Sequence, residues 1–212
     1  MKKIAIFDLD GTLLNTLNSI ANCINTALCD YKIQKVDINV VPQFIGHGAD
    51  NLIKKVSEYV NLDPKLFKEF REHYLAIYRE KGSDNITPYK NIPELLNSLK
   101  QSGIKLAILS NKPDKIVKDC VEEYFPGIFD MVCGQKEGVP VKPDTTQLFS
   151  ILNAFNLQAQ DCIYCGDSLV DVETGKNAKA LTLGAAWGFY GDKPFTNADG
   201  ILYSPEEMLK YI

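Results

Sequence analysis

The chain has 212 residues, 45% hydrophobic and 24% charged, with 23 basic against 27 acidic side chains. That length suits one large domain or a core with an insertion, and a formal charge of −4 leaves no basic footprint for nucleic acid or an anionic membrane. No apolar run reaches the length of a membrane span and no signal-peptide pattern precedes the first apolar run, so a soluble, cytoplasmic protein is expected.

The first predicted element is a buried strand, Ile4-Ala5-Ile6-Phe7, that runs out onto Asp8-Leu9-Asp10-Gly11-Thr12. Two carboxylates one residue apart repel unless a cation stands between them, and hard oxygen ligands beside a phosphate favour Mg²⁺. The turn into Gly11 is expected to leave Asp8 fixed at the strand tip and Asp10 free to swing. Alone, Asp-x-Asp-Gly reads equally as a strand followed by a turn.

Helical periodicity then covers Thr16 to Tyr31, Ala49 to Val60 and Pro64 to Lys81, with no strand signal until about Asp84. The insertion is too long for a connection, so residues 15–84 are expected to form an all-helical cap and residues 1–14 with 85–212 the α/β core. Its charge is balanced, nine basic against nine acidic residues, and it holds both histidines, His47 and His73, and both arginines, Arg71 and Arg79.

Beyond Pro93, helices and strands alternate: a helix to Gln101, a strand Ile104–Leu109, a helix Pro113–Tyr124 and a strand Phe129–Cys133. Next come a helix Asp144–Phe155, a strand Cys162–Cys165, a helix Asp171–Lys179 and a strand Ala180–Gly184. This is the pattern of a parallel sheet with helices on both faces. A last short helix is expected at Ser204-Pro205, capped by the serine. Six cysteines lack a paired framework, which points to reduced thiols. Cys162 and Cys165, three apart on a strand, face opposite sides and read as buried small hydrophobes.

Three further strand ends carry chemistry. Leu109-Ser110-Asn111-Lys112-Pro113 offers a hydroxyl and backbone N–H groups for phosphate oxygens, with Lys112-Pro113 reading as a helix start. Pro140-Val141-Lys142-Pro143 holds a lysine between prolines, suited to a fixed point charge. Gly166-Asp167-Ser168-Leu169-Val170-Asp171 delivers one acid at a strand tip and a second in the first turn of a helix, where it can bond metal-bound water or the serine.

Four such constellations in order resemble the haloacid dehalogenase superfamily, whose phosphatases carry Asp-x-Asp-Gly-Thr, a Ser or Thr, a Lys and Gly-Asp-x-x-x-Asp. The chain is similar to the phosphoglycolate phosphatase subgroup, also through Phe44-Ile45-Gly46-His47-Gly48 and Trp187-Gly188-Phe189. Asn15 departs from the aspartate of many relatives, at a position outside the reacting centre. The resemblance implies a Rossmann-like α/β core with an inserted all-α cap, and hydrolysis of a small phosphorylated metabolite by a monomer or homodimer. It further implies Asp8 as nucleophile, Asp10 as general acid and base, and Mg²⁺ held by Asp8, Asp167 and the carbonyl of Asp10, with Asp171 behind. Phosphate contacts would come from Thr12, Ser110, Asn111, Lys142 and Ser168, and leaving-group recognition from Gly46, His47 and Gly48. A pyrophosphatase, a nucleotidase or a sugar phosphomutase would share these motifs. A phospho-receiver module would carry its phosphorylated Asp on a later strand and lack the insertion. The Trp187–Tyr190 segment is expected in the core.

Overall fold

The computed structural model describes residues 2–212. Six parallel strands form one sheet: β1 (Ile4–Phe7), β4 (Lys105–Pro113), β5 (Met131–Gln135), β6 (Cys162–Gly166), β7 (Leu181–Ala185) and β8 (Gly200–Leu202). A separate antiparallel ribbon is made by β2 (Leu14–Asn15) and β3 (Thr87–Pro88). The sheet order is β5-β4-β1-β6-β7-β8. β1 is therefore central, with Phe7 paired to Ile108 on one side and to Cys165 on the other. The chain runs from β1 outward through β4 and β5 and then crosses back to β6 on the other side of β1, a reversal that creates the crevice where α/β sheets bind ligands.

Period-two alternation splits β1 between two cores. Ala5 and Phe7 join a cluster that includes Leu96, Leu99, Val117 and Cys120, while Ile4 and Ile6 join Leu148, Ile151 and Leu152. Cys165 falls in the first cluster and Cys162 in the second, so the two thiols face opposite sides; all six cysteines are free. Burying both faces is why these strands read as continuous apolar runs.

The helical insertion comprises α1 (Leu17–Asp30), α2 (Gly48–Tyr59) and α3 (Phe67–Lys81). Ile20, Ile24, Leu52, Ile53, Phe70, Tyr74 and Tyr78 are buried in the same continuous cluster as the first face of the sheet. The expected helix from Pro64 opens instead as a 3₁₀ turn over Pro64–Leu66, with Asp63 Oδ1 accepting from Lys65 N at 2.9 Å. The β2–β3 ribbon ties the two ends of the insertion together.

The remaining helices are α4 (Ile92–Gln101), α5 (Asp114–Tyr124), α6 (Thr146–Ala154) and α7 (Leu169–Asn177). Three further elements differ from or add to those expected. β4 runs on through Ser110, Asn111 and Lys112 to Pro113, so the helix starts only at Asp114. β8 is a short edge strand beside β7, too brief for a periodic signal. The final Pro205–Tyr211 segment is a 3₁₀ helix without a side-chain bond from Ser204.

Candidate active site

Asp8 sits one residue beyond β1, where its backbone N–H donates to Cys165 O at 2.9 Å and extends the ladder by one step. Leu9 O then accepts from the N–H groups of Thr12, Leu13 and Leu14, closing a tight turn. Gly11 has φ +80°, and a side chain there would collide with the Asp167 carboxylate, so glycine is required on both counts.

Lys142 is the hub of one half of the site. Its buried Nζ lies 3.0 Å from Asp8 Oδ1 and 2.7 Å from Asp171 Oδ1. Its position is held by Asn111, whose Oδ1 accepts from Lys142 N at 2.8 Å and whose Nδ2 donates to Lys142 O at 3.0 Å. The same Nδ2 donates to Gly46 O at 2.9 Å. The Asn111 side-chain amide is therefore spent on positioning a lysine and a loop of the insertion, while the residue still lines the cavity described below.

Ser168 caps α7 in a reciprocal box: its side chain accepts from Asp171 N, and Asp171 Oδ2 accepts from Ser168 N at 3.1 Å and Ser168 Oγ at 2.5 Å. Tyr164 adds a bond to Asp171 Oδ1 at 2.9 Å. Both oxygens of Asp171 are thus occupied by protein donors. Asp167, by contrast, is engaged among the described residues only through Oδ2, which accepts from Phe189 N at 2.8 Å.

The second half centres on Lys112, which the sequence reading passed over as a helix-start signal. Its side chain is 0% exposed, its Nζ lies 3.0 Å from Asp10 Oδ1, and it stands 5.2 Å from the ring centre of Tyr78 on α3. Asp10 is therefore held by a lysine rather than free to swing. No local signal marks it: only where the strand runs on through Ser110 to Lys112 does a lysine at its buried end call for a counter-ion.

A cavity of about 40 Å³ joins the halves, lined among others by Asp8, Asp10, Ser110, Lys112, Lys142, Asp167 and Ser168. From the insertion it takes Gly46 and Gly48, together with Tyr74 and Tyr78. His47 is exposed at the head of α2 and does not line it, because the backbone between two positive-φ glycines turns that side chain outward. Thr12 is buried behind the turn, where its carbonyl accepts from Trp187 Nε1 at 2.9 Å and its hydroxyl has no partner. Arg71 and His73 pair at the surface of the insertion with Asp50 and Asp30.

The Trp187–Tyr190 segment is half-buried: Trp187 packs against the core as expected, whereas Tyr190 lines the cavity. Gly188 packs where any side chain would strike Asp167 and the carbonyl of Gly11. Tyr190 Oη donates to Pro42 O at 2.8 Å, gripping the loop before α2 from the sheet side.

Asp8, Asp167 and Asp171 bring ligand atoms within 4.8 Å of one another, all buried. Burial raises the Asp8 carboxyl to about 7 against the pull of Lys142, and raises Asp167 well above the usual carboxylate range, with Asp171 and Asp8 adding to it. Asp10, Asp8, Asp167 and Asp171 face two ammonium groups, a formal excess of two negative charges. A divalent cation fits this donor set in charge and in hardness. Asp8 and Asp167 retain lone pairs for it, and Asp171 supports Lys142 and the serine.

The model of the haloacid dehalogenase-like hydrolases matches residues 5–185. The phosphoglycolate phosphatase of Vibrio cholerae is 31% identical over 203 residues, covering 93% of this chain and 90% of its own. That of Aquifex aeolicus is 30% identical over 192 residues, covering 88% and 86%. A crystal structure described as a predicted phosphoglycolate phosphatase from Haemophilus somnus superposes with a TM-score of 0.91 at 28% identity, over 99% of this chain and 97% of that one. The matched span takes in all four carboxylates and both lysines of the site, and the chain belongs to the haloacid dehalogenase-like hydrolase family.

Proposed function

We propose that this chain is a Mg²⁺-dependent phosphatase that hydrolyses a small phosphomonoester, with 2-phosphoglycolate the first candidate, through an aspartyl-phosphate on Asp8. The observation that carries the reading is the division of labour between two adjacent acids. Asp8 lies against Lys142 and Asp10 against Lys112, and both line one cavity of about 40 Å³. The names of the relatives support the choice of substrate.

A carboxylate needs no base to become a nucleophile once ionised. Asp8 would attack phosphorus while Lys142 neutralises a phosphoryl oxygen and Ser110 offers its hydroxyl. Asp10 would protonate the leaving oxygen, then accept a proton from the water that cleaves the acyl-phosphate. Asp8 and Asp167 would hold Mg²⁺, whose charge would offset the crowded carboxylates and favour ionised Asp8. A cytoplasmic setting, where thiols stay reduced, belongs to the same reading.

The test is phosphate release from 2-phosphoglycolate, pyrophosphate, nucleoside monophosphates and sugar phosphates, with and without Mg²⁺, beside Asp8→Asn and Asp10→Asn. Mg²⁺-dependent release from a monoester, lost in both variants, is expected. Release from none by folded, Mg²⁺-loaded protein overturns the reading, and preferential cleavage of pyrophosphate reassigns the leaving group.

A further inference from the structure

Tyr74 and Tyr78 lie one helical turn apart on α3, their rings stacked at 5.5 Å and 15°, and both line the cavity on the side of Asp10 and Lys112. The Tyr74 hydroxyl is the anomaly. The residue is 0% exposed, yet its oxygen has no hydrogen-bond partner among the described residues. A buried phenol left unsatisfied costs free energy, which a ligand can recover. Burial, reinforced by Tyr78, Cys23 and Asp10, holds its pKa well above the ordinary phenol range, so it stays a neutral donor.

Lys112 supplies the second donor. Its ammonium has three N–H groups, and the one protein carboxylate paired with it is Asp10. Ile20, Ile45 and Leu52 complete this side of the cavity, and such apolar walls strengthen charge recognition. In the reaction assigned above, the group beside Asp10 is the leaving group. A corner of donors there, with little room, suits a leaving group that is short and carries its own negative charge.

We propose that Lys112 and Tyr74 form a subsite for an anionic group, a carboxylate, borne one carbon from the leaving oxygen of the substrate. The subsite rests on the phosphomonoesterase reading for the orientation of that group, and it names residues that decide specificity. Tyr78 acts as a positioning residue, its ring covering Lys112.

The probes are 2-phosphoglycolate and ethyl phosphate, which differ by the carboxylate. Tyr74→Phe removes only an unpartnered oxygen, so folding is preserved. It is expected to lower the preference for 2-phosphoglycolate, the ratio of the two kcat/KM values, by about tenfold or more. Lys112→Met is expected to lower that ratio further, whatever it does to turnover through Asp10. Calorimetric titration of both esters into Mg²⁺-loaded Asp8→Asn, with and without Tyr74→Phe, reads the same preference without chemistry. An unchanged ratio in Tyr74→Phe and Lys112→Met, with wild-type turnover intact, overturns the subsite and leaves the phosphatase reading standing. Absence of wild-type turnover, with the carboxylate preference in binding still lost in Tyr74→Phe, overturns the phosphatase reading and upholds the subsite. Equal binding of both esters overturns it.

Discussion

Asp8 sits in an environment that opposes its ionisation. Its carboxyl is raised to about 7, chiefly by burial, from an unfolded value near 3.8. The folded state therefore holds a proton that the unfolded chain releases, and metal-free stability falls as pH rises from about 4 to about 7. Asp8→Asn removes the titration. In chelator at pH 8 the variant is expected to melt several degrees above wild type, and at pH 4 the gap closes, as a thermal melt at both pH values would show. Lys142 shows the opposite dependence on partners. Lys142→Met strands Asp8 and Asp171 in the interior and is expected to cost about 3–5 kcal/mol, read as a lower urea midpoint. The motif acids and Lys142 could be named from spacing alone, since each follows its own apolar run. Lys112 and Tyr74 could not, because nothing local distinguishes a buried lysine or tyrosine from an exposed one.

At the scale of elements, three strand ends do most of the positioning. β1, β4 and β6 are neighbours, so residues about 100 and 160 positions apart in sequence meet within one cavity. Sequence periodicity located these strands but ended β4 early, because Pro113 reads as a helix start whether or not the strand reaches it. The loop before α2 is pinned from the sheet side by Asn111 and Tyr190. Tyr190→Phe keeps the ring and removes the bond to Pro42 O. It is expected to raise KM about two- to tenfold with little change in kcat, the size of one hydrogen bond, measured by steady-state phosphate release. His47, singled out for its place between two glycines, faces solvent, since sequence order does not tell which way a loop side chain points.

For the molecule as a whole, the excess of two negative charges in a buried site links folding to divalent ions. Added Mg²⁺ is expected to raise the melting temperature more at pH 8 than at pH 5, because at the lower pH it must displace protons from Asp8 and Asp167. A thermal melt with Mg²⁺ against chelator at each pH checks this, and an equal shift at both would count against the cluster as the ion's site. The amino-acid sequence by itself determined the alternation of apolar runs and helices, the long helical insertion and the four acid and lysine motifs, because buried strands and strand-end turns leave local composition signals. Only the tertiary structure decided that Lys112 holds Asp10, that the Asn111 amide is spent on Lys142 and Gly46, and that Phe189 N and Tyr190 reach the site. It also decided that Tyr74 lines the cavity while its buried hydroxyl is left unpaired among the described residues. Those facts depend on which distant segments pack together, and packing partners far apart in the chain leave no trace in the residues beside them.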